Sequence, residues 1–189
     1  MGTSPVHLAM ADLAANLDAA NIPYAIAGAM ALNEHGHIRA TTDVDILLTP
    51  AGLLAFKARY LGRGYVERFP GSRGMRDTVH QVPVDVLLTG QFPGDGKEQP
   101  VSFPDPELAW TLGSSSNLRF LTLSWFVTLK LASGMTAPHR LKDLSDVLEL
   151  IVSRGLSSDF RESLDPYVRE KYDELWRAAQ ASANDPNQG

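Results

Sequence analysis

The sequence contains no cysteine among its 189 residues. Disulfide bonds, thiolate zinc sites and cysteine nucleophiles are therefore excluded. The absence of cysteine fits a reducing compartment, and we expect a cytoplasmic protein. The first twenty residues combine no basic leader with an uninterrupted apolar run, so we expect no signal peptide.

Long apolar runs and a basic surplus are missing as well. No run approaches the roughly 20 apolar residues that cross a bilayer, so we expect no membrane partner. The net charge of −5 argues against a general nucleic-acid binder. Residues 57–76 depart from this balance, because they carry six Lys or Arg side chains and a single acid, Glu67. This stretch either steers an anionic substrate or forms an ordinary solvated surface.

The composition is that of a globular protein with its own core, since 44% of the residues are apolar and 21% are charged. Residue patterns predict an α/β fold of the α+β type, with a small mixed β-sheet flanked by helices and a helical C-terminal part. We expect a core at residues 1–112, a helical subdomain at 113–180 and a disordered tail at 181–189. Strands are predicted at 24–27, 43–48, 64–69 and 78–88, and helices at 5–20, 29–36, 50–61, 106–112, 122–133, 138–154 and 164–180.

Two carboxylates stand out in the second predicted strand. Side chains alternate between the faces of a strand, so Asp43 and Asp45 share one face. Adjacent carboxylates repel each other unless a positive charge lies between them. Mg²⁺ takes one or two carboxylates and completes its shell with substrate phosphates. Asp85, in a later strand of valine and leucine, is either a solvated acid or a third ligand for a pair of ions roughly 3.5–4 Å apart.

The residues before the two acids suit a phosphate site. Gly28 and Ala29 follow one strand and begin a helix, where backbone N–H groups can face a phosphate. Arg39 and Thr41 lie shortly before the acids. Arg39 either holds phosphate in a forked contact or forms a structural ion pair.

Charged residues also occur in the predicted C-terminal helices. Lys130 comes from a largely apolar helix, so its ammonium reaches either water or an anionic group in a cleft. Lys142, Asp143 and Asp146 lie on a later helix, where the two acids are surface neighbours. By itself, that helix has an ordinary solvated, salt-bridged face.

Together these motifs resemble the nucleotidyltransferase fold of the DNA polymerase β superfamily, and in particular its branch of abortive-infection toxins and minimal nucleotidyltransferases. Gly28-Ala29 matches the family's glycine motif, and the run from Arg39 to Asp45 matches Arg-x-Thr-x-Asp-x-Asp. Asp85 matches the third acid. Lys130 matches a helical lysine motif of the toxin-like branch, and Lys142, Asp143 and Asp146 match its later Lys-Asp-x-x-Asp helix. Ala29 departs from the family, which often has serine or a second glycine there, so a hydroxyl contact to phosphate is lost.

The resemblance implies Mg²⁺-dependent transfer of a nucleoside monophosphate from an NTP to a hydroxyl, with release of pyrophosphate. Asp43 and Asp45 would hold two Mg²⁺ ions, and Asp85 would bind the catalytic ion and help to activate the acceptor. Gly28, Ala29, Arg39, Thr41, Lys130, Lys142, Asp143 and Asp146 would bind the nucleotide. Acceptors in the superfamily include tRNA ends, proteins and small hydroxyl compounds, and an antitoxin protein would be a partner of a toxin.

Two alternatives stay open at this stage. The chain could keep the fold as a non-catalytic module that binds a nucleotide or a partner protein. It could also be a metal-dependent phosphohydrolase, although such enzymes usually add histidine ligands and no histidine here has a trusted metal-ligand spacing.

Overall fold

The computed structural model describes residues 4–183, which divide into two compact units. The first, called the sheet unit, comprises the residues up to Glu34 together with Ile38–Gln91 and Phe103–Thr122. The second, called the helical unit, comprises His35–His37, Phe92–Ser102 and the chain from Leu123 onward.

The sheet unit contains a seven-stranded mixed sheet with the strand order β3-β4-β5-β2-β1-β7-β6. The strands are β1 (Ala25–Ile26), β2 (Val44–Leu48), β3 (Tyr65–Glu67), β4 (Met75–Asp77), β5 (Pro83–Leu88), β6 (Trp110–Leu112) and β7 (Arg119–Leu121). The pairs β2–β5 and β1–β7 are parallel, and the other pairs are antiparallel. The predicted small mixed sheet is thus confirmed.

Among the described residues, the α-helices of the sheet unit are α1 (Pro5–Ala19), α2 (Gly28–Glu34) and α3 (Pro50–Tyr60). Proline begins α1 and α3, where its fixed φ suits the first helical turn. The Thr49 hydroxyl caps α3 by accepting the N–H of Gly52 at 2.9 Å. Both α1 and α2 contact the central strand β2 and cover its apolar side chains.

Strand β2 lies in the middle of the sheet and carries most of the local core. Its residues Val44, Ile46, Leu47 and Leu48 are all buried, and only Asp45 remains partly exposed. A central strand buried by helices is expected to be nearly continuous in apolar residues. Asp45 is therefore the exception in an otherwise apolar, buried strand, and the burial of its neighbours fixes its position.

The predicted strand at 78–88 is wrong in its first half. Strand β5 begins only at Pro83, and the residues before it form a turn. The Asp77 carboxylate accepts the N–H of Val79 at 2.8 Å, and Gln81 has a φ of +59°. This local hydrogen bonding and the left-handed residue end the extended conformation. The strand missed by the sequence pattern is β4, which precedes this turn.

The predicted helix at 106–112 is also wrong. Residues Pro106–Leu108 form one short 3₁₀ turn, after which the chain becomes strand β6 at the edge of the sheet. Strand β6 pairs with β7, which the sequence pattern also missed. Both strands have three residues, too few for a period-of-two pattern to be recognised.

The helical unit contains α4 (Leu123–Gly134), α5 (Leu141–Arg154) and α6 (Arg169–Ala183). Helix α5 buries one stripe that includes Val147, Leu150 and Ile151, and it ends at Gly155 with a φ of +59°. Helix α4 contacts α5, and α5 contacts α6. The predicted helical C-terminal part is confirmed. Of the tail predicted at 181–189, residues 181–183 belong to α6, and residues 184–189 lie outside the described residues.

Within residues 4–183, no helix has the length and apolar character that a bilayer crossing requires.

Candidate active site

Two acids occupy paired positions on adjacent strands. Asp45 of β2 is the register partner of Asp85 of β5, and the two strands are parallel. Paired residues of parallel strands project on the same side of a sheet. Their strand neighbours Val44, Val84 and Val86 are buried, whereas both acids are partly exposed. The alternation of the strands thus presents two carboxylates side by side at the surface of the sheet.

Asp43 immediately precedes β2 and is held by a threonine. The Thr41 hydroxyl donates a hydrogen bond to Asp43 Oδ1 at 2.5 Å. Asp43 is two residues before Asp45, the spacing from which both acids were predicted to share one face of a strand, although β2 itself begins only at Val44. The side chain of Thr41 therefore contacts the first acid of the motif.

The backbone between α2 and β2 is held by hydrogen bonds to Asn33, a residue that no sequence motif indicated. Asn33 Oδ1 accepts the N–H of Arg39 at 2.6 Å, and Asn33 Nδ2 donates to the Arg39 carbonyl at 3.1 Å. This pair of hydrogen bonds fixes the start of the segment that leads to the acids. An asparagine on a short helix carries no pattern that would have identified it.

Gly28 lies directly against Asp45. Its φ is +56°, and a Cβ built there would lie 1.8 Å from Asp45 Oδ2. The preceding residue, Ala27, donates its N–H to the Asp45 carbonyl at 2.9 Å. The glycine is therefore required both by its backbone conformation and by the space that the carboxylate occupies.

Arg68 forms an ion pair with the third acid, a contact that the sequence did not reveal. Arg68 Nη1 lies 3.0 Å from Asp85 Oδ1, and each side chain is 39% exposed. Gly74 is buried beside this pair, and a Cβ on it would lie 3.5 Å from Asp85 Oδ1. The only sequence signal for Arg68 was the excess of arginine in residues 57–76.

The three acids have the donor chemistry of a Mg²⁺ site. Carboxylate oxygens on neighbouring strands suit a hard cation, and the space over Gly28 admits a carboxylate where a Cβ would not fit. Within residues 4–183, no three acidic or histidine side chains are arranged as a ready metal-binding group. Asp85 is instead engaged by Arg68. The assignment of Asp43, Asp45 and Asp85 as metal ligands stays a prediction.

The helical unit brings together three of the four charged residues predicted there. Lys130 Nζ lies 2.7 Å from both Asp143 Oδ1 and Asp146 Oδ2. Ser133 donates its hydroxyl to Asp143 Oδ2 at 2.6 Å. Lys142 is exposed and is not part of this cluster of ion pairs. The sequence pattern predicted an ordinary solvated face for this helix, whereas the structure shows that its two acids form largely buried ion pairs.

Burial and charge act in opposite directions on Asp143. Burial disfavours its charged form, but the ion pair and hydrogen bond with Lys130 and the hydroxyl of Ser133 outweigh burial. The pKa of the Asp143 carboxyl is consequently held below its ordinary value. The Lys130 ammonium thus lies between two carboxyl groups, and its ion pair with Asp143 favours the charged form of that acid.

No protein-family model and no curated protein sequence matches this chain. Solved structures do match. A structure of ANT(2″)-Ia in complex with adenylyl-2″-tobramycin has a TM-score of 0.52 and 14% identity, over 89% of this chain and 93% of that one. A solution structure of the antibiotic-resistance factor ANT(2″)-Ia has the same TM-score and identity, over 89% of each chain.

An antigenic nucleotidyltransferase-like protein from Paracoccidioides brasiliensis is similar as well. Its TM-score is 0.53 at 15% identity, over 96% of this chain and 94% of that one. These structures share the arrangement of the backbone with this chain at low sequence identity. The chain therefore has a fold of the nucleotidyltransferase type.

Proposed function

We propose that this chain is a Mg²⁺-dependent nucleotidyltransferase, which moves a nucleoside monophosphate from an NTP to a hydroxyl of an acceptor. The observation that carries the proposal is the register pairing of Asp45 with Asp85 beside Gly28. The nucleotidyltransferase-type fold supports it. Carboxylates at paired positions on adjacent strands repel each other unless positive charge lies near them, so a metal ion bound by both would stabilise the pair.

In this proposal Asp43, Asp45 and Asp85 would hold two Mg²⁺ ions. Bound Mg²⁺ would neutralise the charge on the phosphates and on the attacking and leaving oxygens. The acceptor oxygen forms a bond to the α-phosphorus, and the bond from that phosphorus to the pyrophosphate oxygen breaks. Asp85 takes the proton of the acceptor hydroxyl. Thr41 keeps Asp43 oriented through its hydroxyl contact.

The nucleotide would be bound by the residues that the family motif selects, namely Gly28, Ala29, Arg39, Thr41, Lys130, Lys142, Asp143 and Asp146. The ion pairs of Lys130 support a more specific role for the two aspartates of α5, which is to position the Lys130 ammonium. Asp143 and Asp146 hold the Lys130 ammonium at 2.7 Å each. A lysine fixed in this way loses little side-chain entropy when it meets a phosphate.

The direct test is transfer of label from each of the four α-³²P-labelled NTPs to components of a cell extract, with Mg²⁺ present. Asp45→Asn should abolish labelling because it removes a carboxylate of the pair. Asp159→Asn makes the same chemical change in the helical unit and should label as the wild type does. Tobramycin is added as a separate acceptor, since ANT(2″)-Ia binds its adenylylated form. Equal labelling by wild type and Asp45→Asn would overturn the proposal.

The resemblance to the toxin-like branch adds a finer hypothesis about biological role. In it, the acceptor is a cellular RNA or protein, and a separate antitoxin protein binds the enzyme. Induced expression of the wild type should then arrest growth, whereas Asp45→Asn should not. Growth arrest by both forms would rule out a toxicity that depends on transfer.

A second candidate function is a non-catalytic module that binds a nucleotide or a partner protein. The ion pair of Asp85 with Arg68 favours it, because an acid that is already neutralised needs no metal. Isothermal titration of each NTP with and without Mg²⁺ separates the two. Nucleotide binding that is independent of Mg²⁺, together with no transfer to any acceptor, would support the module.

A further inference from the structure

Hydrogen bonds hold the hairpin that joins β3 to β4 on both sides of Arg68. Lys57 of α3 donates to Glu67 Oε1 at 2.6 Å and to the Ser72 carbonyl at 2.5 Å. Glu67 Oε2 also accepts the N–H of Gly71 at 2.9 Å. Arg68 donates its own N–H to the carbonyl of Gly74 at 3.2 Å. Arg68 thus extends from an ordered hairpin that is anchored to a helix.

Gly74 lies beside the ion pair of Arg68 and Asp85. A Cβ on Gly74 would lie 3.4 Å from both Cδ and Nε of Arg68, and 3.5 Å from Asp85 Oδ1, which are ordinary van der Waals distances. The backbone of the β4 side of the hairpin therefore packs directly against both partners of the ion pair.

A divalent cation bound to Asp85 Oδ1 would lie close to the Arg68 guanidinium, and the two positive charges would repel each other. Arg68 and a metal ion at Asp85 would therefore compete for this carboxylate. The neighbouring Arg73 differs, because its guanidinium donates to the amide oxygen of Gln91.

We propose that Arg68 is the resident counter-ion of Asp85 and competes with the divalent cation for this carboxylate. This inference rests on the proposed function, which puts a metal ion at Asp85. Arg68 keeps Asp85 paired while no nucleotide is bound, and it must leave before the metal site is complete. Arg68 is thus a positioning residue that acts through Asp85. Its released guanidinium offers paired donors that suit a phosphate.

The test measures Mn²⁺ binding to the nucleotide-free full chain by the loss of the free-ion EPR signal. Arg68→Gln should bind Mn²⁺ about tenfold more tightly than the wild type, because it removes both the competing ion pair and the repulsion. Arg73→Gln removes one positive charge from the same hairpin without touching Asp85, so its affinity should change less than about twofold. Arg68→Lys keeps a cation beside Asp85, so its affinity for Mn²⁺ should stay close to the weak affinity of the wild type.

A double mutant shows whether Arg68 acts through Asp85. In the Asp85→Asn background, Arg68→Gln should no longer raise the affinity for Mn²⁺. Equal shifts for Arg68→Gln and Arg73→Gln, or a full Arg68→Gln effect in that background, would overturn the counter-ion role and leave the proposed transfer reaction intact. No Mn²⁺ binding by any nucleotide-free variant would overturn the counter-ion role, whereas the absence of transfer from every labelled NTP would overturn the proposed function. Circular dichroism of each variant checks that it is folded.

Discussion

Asp45 Oδ2 occupies the space in which a side chain on Gly28 would have to lie. A Cβ at position 28 would approach this oxygen to 1.8 Å, and the backbone there has a φ of +56°. The contact joins the strand-to-helix turn after β1 to the acid of β2. The glycine motif and the aspartate motif, which are separate in sequence, therefore form one packed arrangement.

Gly28→Ala should reduce nucleotide transfer by about 100-fold, because the new methyl group would displace the Asp45 carboxylate, to which the proposed function gives a metal-binding role. The left-handed φ adds a strain of about 1 kcal/mol to the folded state. Gly155→Ala is the matched control, since Gly155 has a φ of +59° and no atom within 4 Å of its Cβ position. Rates of transfer and the free energy of unfolding are measured for both. Equal activity of the two variants would contradict the role of the Gly28 contact.

Thr41→Val should lower kcat/KM for transfer by about tenfold. The variant removes the hydroxyl that donates to Asp43 Oδ1, and a hydrogen bond to a charged group contributes about 1.5–3 kcal/mol. Thr42→Val changes the adjacent, exposed threonine and should leave kcat/KM within about twofold. If both variants behave alike, orientation of Asp43 by Thr41 does not matter for the rate.

Lys130→Met should destabilise the protein by about 3 kcal/mol, as measured by urea denaturation. The substitution leaves Asp143 and Asp146, which are 14% and 6% exposed, without their shared cation. Lys142→Met makes the same change at an exposed position and should shift the free energy of unfolding by less than about 0.5 kcal/mol. A loss below 1 kcal/mol for Lys130→Met would show that the cluster contributes little to folding.

The contribution of Asp143 to stability should depend on pH in one direction. Its pKa in the folded protein is below the value of about 3.9 expected in the unfolded chain. Stability from this group is therefore present above about pH 3.9 and is lost as the pH falls through the folded pKa. The difference in free energy of unfolding between wild type and Asp143→Asn should be constant from pH 8 to about pH 5 and shrink at lower pH. A difference that grows on acidification would contradict the ion pair.

Three short strands show why part of the sheet was not predicted from the sequence pattern. Helices such as α1 and α5 were predicted because an apolar stripe recurs over many residues. Strands β4, β6 and β7 have three residues each and draw their stability from pairing with neighbours. Short segments of this kind follow the sheet around them, so their own residues carry little signal.

The candidate site divides in the same way. Asp43 and Asp45 could be selected because their spacing predicts a shared strand face, and Gly28 because it lies at a strand-to-helix turn shortly before them. Arg68 could not, because it lies 17 residues before Asp85 and only the antiparallel return of the β3–β4 hairpin brings the two within 3.0 Å. Lys130 was selected from its apolar helix, but its pairing with both acids of α5 depended on the contact of two helices.

By itself, the sequence determined the kinds of elements and the acids that they carry, because apolar periodicity and the alternation of side chains are local properties of the chain. Tertiary structure decided which groups meet: Asp45 packs against Gly28, Asp85 pairs with Arg68, and Lys130 pairs with two aspartates. The physical reason is that an ion pair or a close contact depends on the separation of atoms in space, and the separation of residues along the chain does not set that distance.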